Sequence, residues 1–233
     1  MSSKVYKNAP EALHDIFDGA HIMSGGFGLC GNAEHCIRQI HESGVTQLTI
    51  ISNNCGNQGR GLAVLLKSRQ VAEVVCSFVG GNPDLEEQML SKEVIVHLNP
   101  QGTLAERIRA GGAGLGGFYT PTGVGTIIAE GREVRELNGK RYLFETPLNA
   151  DFAIIRAEYG DALGNLRFKG TARNFSPQMA MAAKVTIAEV DHLVPVGELK
   201  PEDIHLPGLF VQRIFEGDEY EDTIEYRTTR PRH

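Results

Sequence analysis

Along the first half of the chain, short runs of β-branched and aliphatic residues alternate with stretches whose apolar positions recur at helical spacing. His21-Ile22-Met23 precedes a helical period over Ala33 to Glu42. Gln47 to Ile51 precedes Leu62 to Lys67, Val71 to Phe78 precedes Asp84 to Leu90, and Val94 to Leu98 precedes Thr103 to Ala110. Pro83 suits the opening of one helix, and Gly111-Gly112 predicts the stop of another. Strands separated by helices of this length imply βαβ crossovers, hence an α/β fold with an open, mainly parallel sheet and helices on both faces. Ligands of such sheets gather at the carboxyl ends of the strands.

The second half is less regular. Glu133 to Leu137 and Lys140 to Glu145 flank Asn138-Gly139, a type I′ turn signal, and predict a β-hairpin projecting from the parallel sheet. Asp151 to Ala157 predicts a buried strand, Pro177 to Lys184 a helix rich in Ala and Met, and Val185 to Val190 another strand. Without a repeat, a low-complexity tract or a linker, the expectation is one domain over residues 1–233, with 218–233 a frayed polar tail.

Composition narrows the function classes. The chain has 233 residues, 41% of them hydrophobic, so a sizeable core is expected. Its 23 Lys and Arg against 29 Asp and Glu give a net charge of −6, with no cation surplus for a phosphate backbone, so no nucleic-acid partner is expected. No apolar run approaches the ~20 residues of a membrane span, and the N-terminal segment lacks a signal peptide's apolar core. The expectation is a cytoplasmic protein without a membrane partner. Cys30, Cys36, Cys55 and Cys76 show no C-x-x-C spacing and read as reduced thiols.

The 27 glycines fall mostly in short clusters, and two of these form long loops, Gly25 to Gly31 and Gly111 to Gly125, which suggests backbone that passes close to something. The first runs from a strand into a helix for which Asn32 is the expected N-cap. Gly26-Phe27-Gly28-Leu29-Cys30-Gly31 satisfies G-x-G-x-x-G, so an NAD-binding oxidoreductase is one alternative. A dinucleotide site also needs an acid about 20 residues on, and here Ser52-Asn53-Asn54 stands instead. A tight β-to-α turn, or a non-catalytic binding module on the same sheet, are the other readings.

Several blocks together resemble the family I coenzyme A transferases, in particular the A subunits of the succinyl-CoA:3-ketoacid type. They are Asp18-Gly19 with Gly25 to Gly31, Ser52-Asn53-Asn54, Pro100 to Gly114, Phe118 to Thr126, Ala172-Arg173-Asn174-Phe175 and Glu202 to Pro207. Two positions depart from the family pattern. Ala33 stands where a proline usually follows the glycine loop, and Gly114-Leu115-Gly116-Gly117 replaces a Gly-Ile-Pro-Ala type sequence, which loosens that segment.

The resemblance implies a ping-pong transfer of CoA from succinyl-CoA to a 3-oxoacid such as acetoacetate. The nucleophilic glutamate of that mechanism lies in a Ser-Glu-Asn-Gly type motif on a separate B subunit. No Glu-Asn pair occurs in this chain, and Glu136-Leu137-Asn138-Gly139 reads as the hairpin. The implied arrangement is two A with two B subunits, no catalytic residue in this chain, no metal and no permanently bound cofactor. CoA thioesters are then substrates. It also implies a CoA-binding loop of Gly25, Gly26, Phe27, Gly28, Leu29, Cys30 and Gly31, and an acyl pocket lined by Asn53, Asn54 and Gln101. Neutral amides suit that pocket because they donate N–H bonds to an oxyanion without adding charge. For each Asn, a turn role after a strand is the plainer reading. His35 and His41 lie off the i, i+4 spacing of two metal ligands on one helical face. Arg107 and Arg109 read as solvated cations or contacts to a CoA phosphate, and Cys30 as loop filler.

Overall fold

The computed structural model describes residues 3–221. After a short helix α1 (Ala9–Ala12), which the hydrophobic pattern did not announce, four βα units follow. They are β1 (His21–Ser24) with α2 (Glu34–Ser43), β2 (Leu48–Ile51) with α3 (Ala63–Lys67), β3 (Val71–Cys76) with α4 (Pro83–Leu90), and β4 (Ile95–Leu98) with α5 (Gln101–Gly112). A three-stranded antiparallel sheet of β5 (Phe118–Thr120), β6 (Val134–Leu137) and β7 (Lys140–Glu145) comes next. The chain then returns to the main sheet as β8 (Ala150–Asp161), β9 (Leu166–Arg167), α6 (Ser176–Ala182), β10 (Ala183–Val194) and β11 (Arg213–Glu216).

Among the described residues the main sheet has eight strands in the order β11-β10-β8-β1-β2-β3-β4, with β9 added to β8. Every neighbouring pair on that path is parallel, and only β9 runs antiparallel. Side chains alternate between its faces. Ile22, Ile50, Val74 and Ile154 pack on one side with Ile40 of α2, Leu66 of α3 and Leu85 of α4. Met23, Ile51, Val75 and Ala153 pack on the other with Leu104 and Ile108 of α5 and Met179 of α6. Burial on both faces explains why these strands read as continuous apolar runs.

Several expectations need correction. The hairpin turns at Asn138 (φ +51°) and Gly139 (φ +74°) as its sequence demands, but it belongs to the separate small sheet, where β5 is paired to β7. Helix α5 runs through Gly111-Gly112 rather than stopping before them. A Cβ at Gly111 would meet the Leu148 carbonyl oxygen at 1.9 Å, and one at Gly112 the Met181 Cβ at 2.7 Å, so close packing selects these glycines. The segment at 218–221 is docked, not frayed: Tyr220 lies under the Arg156 guanidinium at 3.4 Å and meets the His35 ring edge at 4.9 Å. Residues 222–233 of the expected tail lie outside the described residues.

The cap of α2 is also not the expected one. Its N-cap position is Ala33, which cannot cap with a side chain, while Asn32 turns its Nδ2 toward the Gly28 carbonyl at 3.4 Å. The Cys36 amide instead donates to Oε2 of Glu189 on β10, at 2.9 Å. Glu189 is fully buried, and desolvation pushes its carboxyl from 4.5 up to about 8, against the opposing pull of the Cys36 amide and Arg156. A raised carboxyl favours the folded state at low pH and loses that advantage as pH climbs from 4.5 through about 8. Glu189→Gln keeps an acceptor and removes the titration. Denaturant midpoints across that window should show wild type losing up to about 1.4 kcal/mol per pH unit relative to the variant.

Candidate active site

The order of strands reverses at β1: the chain builds outward from it through β2, β3 and β4, then crosses back to place β8 on its other side. A crevice at the carboxyl ends of the strands is expected at such a switch point. The segments leaving the carboxyl ends of β1, β2, β3 and β4 are Gly25 to Gly31, Ser52 to Cys55, Ser77, and Asn99 to Gln101.

The glycine loop is a closed, internally bonded turn. Phe27 and Cys30 exchange amide-to-carbonyl bonds of 3.0 Å each, and the Phe27 side chain stands half-exposed at the tip. The Gly25 amide donates to the Ile154 carbonyl at 2.9 Å, and the Gly26 amide to Oδ1 of Asn174 at 3.0 Å. The Gly28 amide donates to Oδ1 of Asn53 at 3.3 Å. What the glycines pass close to is the chain itself. A Cβ at Gly25 would meet Ser176 Oγ at 2.5 Å, and one at Gly31 the Ala172 carbonyl oxygen at 2.8 Å.

From Gly28 the hydrogen bonds continue along the strand ends. Buried Asn53 accepts from the loop and donates through Nδ2 to Oε1 of Gln101 at 3.0 Å and to Oγ of Ser77 at 3.1 Å. Ser77 and Gln101 are also directly hydrogen-bonded to each other. With Oε1 of Gln101 engaged, its Nε2 makes no hydrogen bond among the described residues, and the exposed amide can donate to a bound oxygen. Gln101 is the first residue of α5, so the partial positive charge of a twelve-residue helix lies beside it. Thus the structure brings Gly28, Asn53 and Gln101 into one chain of bonds. Asn54 stands apart: its Nδ2 donates to the Gly56 carbonyl at 3.2 Å, the turn role open to it in the sequence.

Other candidates are engaged elsewhere. Arg107 is not a solvated cation. It donates to the Thr146 carbonyl and to Asn99 Oδ1, both at 2.7 Å, and sits 3.8 Å from buried Glu145. Arg109 forms a surface pair with Glu106 at 2.6 Å. His35 lies against the Asp218 carbonyl and His41 beside Gln70. A dinucleotide does not fit, because the amides of Gly25, Gly26, Phe27, Gly28 and Cys30 are all spent within the protein and the start of α2 is closed by Glu189. Ser77 and Asn174 carry site contacts that sequence reasoning did not assign. Ser77 repeats the signal of Ser52-Asn53, a polar residue directly after a buried strand.

The family model for coenzyme A transferase matches residues 6–217. The chain belongs to the coenzyme A transferase family. It is 51% identical over 228 residues to the A subunit of the succinyl-CoA:3-ketoacid coenzyme A transferase of Helicobacter pylori, covering 98% of both chains. It is 45% identical over 246 residues to the human mitochondrial succinyl-CoA:3-ketoacid coenzyme A transferase 2, covering 98% of this chain and 48% of that protein. Its fold matches an acyl-CoA transferase from E. coli O157:H7, solved as a thioester complex with CoA, at a TM-score of 0.83 and 23% identity, over 92% of this chain and 47% of that one. This coenzyme A transferase chain therefore spans about half the length of these last two proteins.

Within this family member the cost of a methyl group in the glycine loop is predictable. Gly31 combines φ +77° with the approach to Ala172, whereas Gly19 has φ +81° and open space around it. Gly19→Ala should cost about 1 kcal/mol of stability from backbone strain alone. Gly31→Ala should cost about 2–4 kcal/mol, because the clash adds to the strain. Urea midpoints of the two variants provide the comparison.

Proposed function

We propose that this chain is the A subunit of a CoA transferase that moves CoA from succinyl-CoA to a 3-oxoacid such as acetoacetate. In this reading Gly25 to Gly31 lie along the acyl-CoA. Gln101 faces the acyl group, Asn53 lines the pocket behind it and holds it in place, and Asn54 contributes by fixing the turn that carries Asn53. The observation that carries it is the bonded chain from Gly28 through Asn53 to Gln101, a row of neutral donors at the switch point of a transferase fold. The identity to the Helicobacter pylori protein supports the choice of substrates.

The chemistry needs a nucleophile that this half does not supply. A glutamate from the B half attacks the thioester carbonyl and expels the CoA thiolate, leaving an acyl anhydride. The thiolate attacks the glutamyl carbonyl and releases succinate, which stores CoA as a glutamyl thioester. The 3-oxoacid carboxylate then attacks that carbonyl, and the same two steps run in reverse. At each tetrahedral stage charge develops on an oxygen, where an amide donor such as Nε2 of Gln101 stabilises it without altering the charge felt by the glutamate.

The human relative, about twice as long, is consistent with a second half supplied here by a separate polypeptide. The proposed assembly is two A with two B, each copy of this chain acting as one domain in the cytoplasm, with CoA thioesters as substrates rather than a resident cofactor. Purified alone, the chain should be inactive in forming acetoacetyl-CoA, and activity should appear when a matching B subunit is added. Transfer by the isolated chain would overturn the assignment of the nucleophile. In the reconstituted enzyme Gln101→Ala should lower kcat by about 10²–10³ with the melting temperature unchanged. Because Asn53 acts through Gln101, the double variant with Asn53→Ala should fall well short of the product of the two single losses.

A further inference from the structure

Asn174 holds the glycine loop by side-chain bonds on both of its arms, and nothing in the family reading assigns it a task. Its Oδ1 accepts the Gly26 amide at 3.0 Å and the Phe175 amide at 2.6 Å. Its Nδ2 donates to the Cys30 carbonyl at 3.3 Å and to the Ala172 carbonyl at 2.9 Å. One carboxamide thus grips the loop at Gly26 and at Cys30, on either side of the tip at Phe27, and fastens both points to the start of α6.

The backbone of Asn174 shows that this grip is not incidental. It sits at φ +23°, ψ −118°, a region that L side chains rarely adopt. A strained residue persists where its surroundings over-determine it, and such residues gather at functional sites. Here the surroundings are the four side-chain bonds and the close approach of Gly31 to Ala172. Glycine would occupy the same backbone position without strain, yet it would leave the Gly26 amide and the Cys30 carbonyl without this partner.

We propose that Asn174 is a positioning residue, which sets the register of the Gly25 to Gly31 loop against α6 and so fixes where the loop meets the acyl-CoA. This rests on the reading that the loop takes the acyl-CoA. The strain and the clamp are separable by substitution. Asn174→Gly removes both, whereas Asn174→Ala removes the clamp and keeps the strain.

The experiment uses the reconstituted two-subunit enzyme with succinyl-CoA and acetoacetate, following initial rates with each substrate varied in turn and melting temperature in parallel. Both variants should raise KM for succinyl-CoA roughly tenfold, the size expected when one contact made equally in the ground and transition states is lost. KM for acetoacetate should stay within about twofold of wild type, the contrast expected when one binding contact is moved and the others are kept. Both variants lose the clamp, but only Asn174→Gly also loses the strain, so Asn174→Gly should melt above Asn174→Ala while the two raise KM alike. An unchanged KM for succinyl-CoA in a well-folded Asn174→Gly enzyme, or a KM that tracks the melting temperature, overturns the proposal. Phe27→Ala separates the two levels. If it raises KM while Asn174→Gly does not, only the role of Asn174 falls; if neither raises it, the loop reading has failed and takes the clamp with it.

Discussion

The bond from the Gly28 amide to the Asn53 carboxamide joins segments leaving two neighbouring parallel strands, and the rest of the site takes its geometry from it. Because β1 and β2 are parallel, their carboxyl ends share one edge, where each segment must turn away with backbone groups the sheet no longer satisfies. A carboxamide meets this demand by accepting on one arm and donating on the other. With Oδ1 of Asn53 fixed on Gly28, Nδ2 has to point toward the ends of β3 and β4, where Ser77 and Gln101 stand. A carboxylate at position 53 could accept from the loop but not donate onward. A hydrocarbon there would leave Gly28 unpaired.

The same sheet dictates where charge can sit. Strands covered on both faces make buried polar groups costly, and the polar groups at the strand ends along the crevice are neutral: Ser24, Ser52, Asn53, Ser77 and Gln101. Ser52 Oγ donates to the Ser24 carbonyl at 2.9 Å, so even the strand ends are joined by uncharged bonds. Two cations are committed to their own partners, Arg107 of α5 to Asn99 and Thr146, and Arg156 of β8 to Asp191 at 2.8 Å.

How much of this was legible depended on how far each residue's partner lies along the chain. The alternation of apolar runs predicted β1 to β4 and their helices because both periods are local, and Asn138-Gly139 predicted its turn because a positive φ at two successive residues is a local demand. Asn32 was misplaced as a cap because the acceptor that does the work, Glu189, is 153 positions away from Cys36. Asn174 is 148 positions from Gly26, and no spacing rule reaches that far. Asn53 and Gln101 stood out as polar residues following apolar runs, but their contact with each other and with Gly28 is a property of the sheet order.

Glycine was the least transparent letter. Gly111 and Gly112 lie inside a helix because Leu148 and Met181 crowd it, while Gly25, Gly26 and Gly31 are required by Ser176, Asn32 and Ala172. A loop whose glycines are demanded by its own neighbours, and most of whose amides, those of Gly25, Gly26, Phe27, Gly28 and Cys30, are spent on its own partners, holds its shape before any ligand arrives. It is a rigid surface with one half-exposed aromatic at its tip, and under the proposed reading affinity for the acyl-CoA comes from the ordering it does not have to undergo. Letter patterns such as G-x-G-x-x-G are silent on this, because it lies in where the amide protons go.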